Sequence, residues 1–97
     1  MRYGLTHDVI QRIQNVFLYF PQVEKVILYG SRAKGNYKPG SDIDLTFMGA
    51  DMNLKVLNEI SLQLDELYLP YTFDLSIYHH IQNTDLLEHI ERVGVEF

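Results

Sequence analysis

Between Thr6 and Phe20 the apolar residues Val9, Ile10, Ile13, Val16, Phe17 and Phe20 recur at a helical period of roughly 3.6, after a capping threonine and before Pro21. This spacing predicts an amphipathic helix. Val23 to Tyr29 is short, β-branched and almost continuously apolar, the pattern of a strand buried on both faces, and Gly30 ends it. Ser31 to Tyr37 has room for one or two helical turns, and Lys38-Pro39-Gly40-Ser41 is turn chemistry. From Asp42 to Met48 the chain alternates, with Asp42, Asp44 and Thr46 on one face and Ile43, Leu45 and Phe47 on the other. Asp51 or Asn53 then caps a second long helix carrying Leu57, Ile60, Leu64 and Leu67, which closes before Pro70. Tyr71 to Tyr78 alternates again: Phe73, Leu75 and Ile77 face the core, Asp74, Ser76 and Tyr78 the opposite side. Asn83 to Val93 is a last helix with Leu86, Leu87, Ile90 and Val93 inward, a Glu88/Arg92 pair one turn apart, and Gly94 as its stop. Val95-Glu96-Phe97 can add a short edge strand.

Helices and strands in this order predict an α/β (α+β) fold, a small mixed sheet with its helices packed on one side and its polar residues on the other. With 97 residues the chain has apolar side chains for one core, so residues 1–97 are expected to form a single domain. The charge balance, 8 basic against 13 acidic residues for a net −5, is the reverse of what tracking a phosphate backbone requires and argues against an extended nucleic-acid groove. The absence of cysteine excludes disulfides, thiolate metal sites and a cysteine nucleophile, and suits the cytoplasm. The longest apolar run, Val16 to Phe20, is far short of the roughly 20 residues of a membrane helix, so a soluble, unexported protein is expected.

Composition leaves the chemistry open; three carboxylates narrow it. Asp42 and Asp44 stand two apart on one strand and project the same way, and Asp74 is the polar-face acid of another. Like charges about 4 Å apart at an effective dielectric near 20 repel by about 4 kcal/mol per pair, so such a cluster calls for cations, and oxygen ligands favour Mg²⁺ or Mn²⁺. Just upstream, Gly30-Ser31-Arg32-Ala33-Lys34-Gly35 leaves a buried strand and enters a short helix, where glycine permits close backbone approach and free amides can meet phosphate. Arg32, Lys34 and Lys38 concentrate positive charge there, although the Arg32/Lys34 pair is equally what a solvated helix face carries. A Walker loop does not fit, because Asn36 and Tyr37 stand where Lys and Ser/Thr are needed, and there is no G-x-G-x-x-G fingerprint.

Gly30-Ser31 followed by Ser41-Asp42-Ile43-Asp44-Leu45, with Asp74 on a later strand, resembles the signature of the DNA polymerase β-like nucleotidyltransferase superfamily. The small size and the preceding helix resemble its minimal nucleotidyltransferase (MNT) branch, whose members often act beside an all-helical HEPN partner in bacterial and archaeal toxin–antitoxin pairs. The resemblance implies a nucleotidyltransferase fold. It implies that Asp42 and Asp44 ligate two divalent metals, Mg²⁺ or Mn²⁺, and that Asp74 completes the metal site and helps activate the acceptor hydroxyl. Gly30 and Ser31 would hold the β- and γ-phosphates of ATP, with Arg32, Lys34 and Ser41 as further nucleotide-binding residues. The implied reaction is transfer of AMP to a hydroxyl, a tyrosine of a helical HEPN partner, with this chain as antitoxin; self-association is a second way of supplying the missing surface. The alternatives are a non-catalytic module that holds nucleotide or partner, and a small-molecule transferase similar to the aminoglycoside nucleotidyltransferases.

The remaining polar residues have plainer readings. His79-His80, His7 and His89 lack matching ligands at metal-binding spacing and are expected on an ordinary polar rim. The seven tyrosines are expected mostly in the core and rim.

Overall fold

A computed structural model describes all 97 residues. The first helix, α1 (His7–Phe17), starts where Thr6 Oγ1 accepts from the Val9 amide at 3.2 Å, and it buries Ile10, Ile13 and Val16. Strand β1 (Lys25–Tyr29) leads into the short α2 (Gly30–Lys34), which Gly35 ends with a left-handed φ of 92°. After the 38–41 turn come β2 (Ile43–Met48), α3 (Leu54–Asp65), β3 (Phe73–Ile77), a 3₁₀ turn (Tyr78–His80), α4 (Thr84–Val93) and β4 (Val95–Glu96). Of the two candidate caps of α3 it is Asn53 that works, accepting from the Val56 amide at 3.0 Å.

The sheet order is β3-β2-β1-β4, with β1 antiparallel to both β2 and β4, and β2 parallel to β3. The predicted α/β mixed sheet and the short edge strand therefore form. Against one face, α1 and α3 build the main core, in which Leu28, Ile43, Leu45, Phe47, Ile60 and Ile77 are almost wholly buried. Phe17 meets Phe47 edge-on at 5.3 Å.

One part of the expected layering needs correcting: the helices are not all on one side. Ile90 of α4 packs on Ile27 and Tyr29, the β1 side chains that point away from the main core, because β1 is apolar on both faces and its second face must be covered too. The polar face is thus open only at the N-terminal ends of β2 and β3, around Asp42 and Asp74; further along it closes over Thr46, which is 0% exposed. No helix is long and apolar enough to cross a membrane.

Candidate active site

Parallel pairing of β2 with β3 sets Asp44 directly opposite Asp74, and antiparallel pairing of β1 with β2 sets Tyr29 opposite Asp44. The C-terminal end of β1 and the N-terminal ends of β2 and β3 therefore meet at one edge of the fold. Asp42 lies just ahead of β2, exposed, as is Asp74, while Asp44 between them is half-buried. The sheet thus brings together the three acids singled out by the sequence.

Their electrostatics are those of an overloaded anionic site. Burial, followed by the charges of Asp74 and Asp42, pushes the Asp44 carboxyl up from 3.8 to about 6, with Arg32 only partly opposing. Tyr29 is drawn into the same field. Burial raises its phenol, contact with Ser76 opposes that, and the charges of Asp74 and Asp44 raise it further. Sequence reading placed Tyr29 only as a buried strand residue; its signal was parity, since it follows Ile27 on the face that Asp44 shares across the pair.

A pH dependence follows. Between about 3.8 and about 6 the folded domain keeps the Asp44 proton that the unfolded chain has lost, so stability falls as pH rises through that window. The loss should be about 1–2 kcal/mol after solvent screening, complete above the window. Urea denaturation of the metal-free domain at pH 4, 5, 6 and 7 measures it, and Asp44→Asn should flatten this component of the profile. An unchanged profile in that variant would remove Asp44 as its source.

Gly30 carries the turn beside the acids. Its φ is +73°, and a Cβ built on it would collide with the Asp44 carboxylate, so glycine here allows both the left-handed turn and the close approach. The Gly30 amide donates to His89 Nε2 at 3.1 Å. His89, expected on the rim, belongs to the site instead; the clue was its place in the stripe Leu86, His89, Ile90, Val93 on the inward side of α4.

Arg32 is also not where its sequence context put it. It is 1% exposed, and its guanidinium donates to the carbonyls of Tyr3 at 2.8 Å, Ser41 at 2.9 and 3.1 Å and Pro39 at 3.3 Å. The rings of Tyr37 and Tyr71 flank it at 5.5 and 5.0 Å. A guanidinium so engaged braces the loop that delivers Asp42 and is not free to clamp phosphate. Ser41 works in the same brace, its hydroxyl accepting from the Lys38 amide at 2.8 Å. Lys34 is exposed in the last turn of α2, at the end away from Gly30.

The acids alone do not make a metal cage: no three His, Asp or Glu side chains gather closely enough to hold an ion by themselves. Their chemistry nonetheless suits Mg²⁺, which is commonly held by one or two carboxylates, with waters and substrate phosphates completing the shell. The acids also stand on an open shelf. The largest hollow, about 410 Å³, lies at the far end of the same strands, lined by Met48, Gly49, Ala50, Tyr78 and His79.

Comparison with known proteins agrees with this geometry. Residues 11–97 match the family model described as polymerase beta, nucleotidyltransferase. The chain is 30% identical over 83 residues, 77% of its length and 79% of the other's, to the "Putative protein adenylyltransferase" of Methanocaldococcus jannaschii. Its fold is similar to that of a solved toxin–antitoxin complex with AMP-PNP, with a TM-score of 0.72 and 22% identity over 89% of this chain and 69% of that one. It is also similar to a chain of the MntA–HepT toxin–antitoxin complex, with a TM-score of 0.67 and 18% identity over 94% and 70% of the two chains. A third similar structure holds a tri-AMPylated Shewanella oneidensis HEPN toxin with its MNT antitoxin, at a TM-score of 0.60 and 19% identity over 92% and 65%. An open carboxylate shelf beside a glycine turn, on a chain matched almost from end to end, makes this protein a member of the polymerase β nucleotidyltransferase family.

Proposed function

We propose that this chain transfers AMP from ATP to a tyrosine hydroxyl of a helical HEPN-type partner and thereby acts as its antitoxin in the cytoplasm. The observation that carries the reading is the packing of the Gly30 turn directly against Asp44, which supports reading that turn as a phosphate seat beside a cluster of acids that repel one another. The relatives support the choice of nucleotide and partner: one is named as an adenylyltransferase, and one solved neighbour pairs an MNT antitoxin with an AMPylated HEPN toxin.

In this reading Gly30 and Ser31 seat the β- and γ-phosphates, Gly30 by allowing close backbone approach and Ser31 by supplying the donors, with Lys34 and Lys38 adding positive potential. Asp42 and Asp44 would hold two Mg²⁺ ions, with Asp74 completing the set, and those ions would neutralise charge on the attacking and leaving oxygens of an in-line displacement. Asp74 receives the proton of the acceptor hydroxyl. The phenolic oxygen forms its bond to the α-phosphorus as the bond to the bridging oxygen of the β-phosphate breaks, and pyrophosphate leaves. The open shelf favours an acceptor presented by another protein over a small molecule enclosed by this chain.

Gly30→Val tests the seat. A β-branched side chain at φ +73° collides with Asp44 and obstructs phosphate approach, so Mg²⁺-dependent ATP binding should fall by about tenfold or more, against about twofold or less for the exposed Lys38→Ala. Calorimetry showing equal affinity in Gly30→Val and wild type, with circular dichroism unchanged, would remove the seat. The function itself is tested by incubating the chain with Mg²⁺, α-labelled ATP and either a HEPN-type protein or an aminoglycoside. Label on the protein is expected. Label on the aminoglycoside alone would establish the small-molecule alternative, and inhibition of the partner without label would establish a binding module.

A further inference from the structure

We infer that His89 is a positioning residue of this site, holding the Gly30 amide from the α4 side and so fixing the turn against the metal-binding acids. The inference rests on the reading of Gly30-Ser31 as the triphosphate seat.

The Gly30 N–H donates to His89 Nε2 at 3.1 Å across 59 positions of sequence, so the turn is anchored to a helix remote from it in the chain. An amide at the start of a helix has no partner within that helix. Without the imidazole, this one would be left to water, on a residue whose backbone can adopt many conformations. The conformation matters because a Cβ built on Gly30 would collide with the Asp44 carboxylate: the turn and the acid pack as one unit, and rotation of the turn changes the spacing between phosphate seat and carboxylate.

His89 is itself held. Its ring meets Tyr29 edge-on, with centroids 6.2 Å apart and planes at 79°, and Tyr29 is the β1 residue paired with Asp44. Below this contact, Ile90 packs on Ile27 and Tyr29, so α4 cannot slide without disturbing the second core. An accepting Nε2 requires the neutral imidazole with its proton on Nδ1. His89 thus donates nothing to phosphate in this arrangement; it takes up the Gly30 amide and leaves Ser31 to lead the approach. Its effect is transmitted through Gly30, and the conservative replacement is a side chain that keeps an acceptor.

His89→Phe retains a ring against Tyr29 and removes the acceptor. KM for ATP should rise about three- to tenfold, the equivalent of one hydrogen bond, with kcat within about twofold and the fold intact by circular dichroism. His89→Gln, whose amide oxygen can accept from Gly30, should recover most of the lost affinity. Titrating a non-hydrolysable ATP analogue with Mg²⁺ into wild type and both variants by calorimetry gives the same comparison without turnover, and His89→Ala provides it should the phenylalanine variant not fold. Equal affinity in wild type and His89→Phe would overturn the positioning role. Tighter binding in His89→Phe would also overturn it, by showing that the imidazole competes with phosphate for the amide. A wild-type protein with no affinity for the analogue would instead overturn the seat on which the inference rests.

Discussion

Asp44→Asn is expected to lower nucleotidyl transfer by roughly a thousandfold or more and, at the same time, to stabilise the metal-free domain near neutral pH. The two effects share one cause. Asp44 is the acid that the fold both half-buries and surrounds with like charge, which pushes its carboxyl up to about 6. Neutralising it would remove a ligand of the proposed metals and also removes the repulsion from Asp74 and Asp42 that the metal-free domain must sustain. About 1 kcal/mol of relief corresponds to roughly 4–8 °C in melting temperature for a domain of this size. Asp42→Asn should abolish activity as fully but raise the melting temperature less, because Asp42 is exposed to water and is the smaller of the two charges acting on Asp44. The measurement is paired: label transfer with Mg²⁺, and thermal melts in a chelator at pH 7. Full activity in either variant would end its catalytic assignment, and marked destabilisation of both would place these acids in a structural network.

Asp74→Asn should separate binding from chemistry. Asp74 faces Asp44 from the outermost strand, on the exposed side of the shelf; in the proposed reaction the incoming hydroxyl arrives there, and Asp42, Asp44 and the Gly30 turn hold the triphosphate. A general base must come within about 2.6–3.2 Å of the proton it takes, or reach it through one water, and loss of such a base costs about 10²–10⁴ in rate. ATP affinity should therefore stay within a few-fold of wild type while transfer to the partner falls by that factor. An equal loss of ATP affinity would make Asp74 chiefly a ligand of the nucleotide's metals. Undiminished transfer would exclude it as the base.

Much of this was legible in local patterns. Period-two alternation put Asp42 and Asp44 on one side of β2 and Asp74 on the same side of β3, and the helical stripes identified the core faces of α1 and α3. Alternation alone cannot say that Asp44 and Asp74 lie opposite each other; that is fixed by the parallel register of two strands joined through α3. Arg32 shows the converse. Two more basic residues within seven positions of sequence made it look like part of a phosphate clamp, yet its carbonyl partners come from Tyr3 and the 39–41 loop, and only the folded chain gathers them around it. For His89 the stripe on α4 was readable, but its partner on the first strand–helix turn was not. The placement of α4 on the second face was missed because β1, apolar on both sides, gives no sign of which helix covers which face.

The most direct test of the central claim is intact-mass spectrometry of a HEPN-type partner after co-expression with this chain. The account predicts a mass increment of whole adenylate units on the partner with wild type, none with Asp74→Asn, and loss of the increment when the acceptor tyrosine is replaced by phenylalanine. A partner that carries no increment and is nevertheless fully inhibited by wild type and Asp74→Asn alike would contradict it.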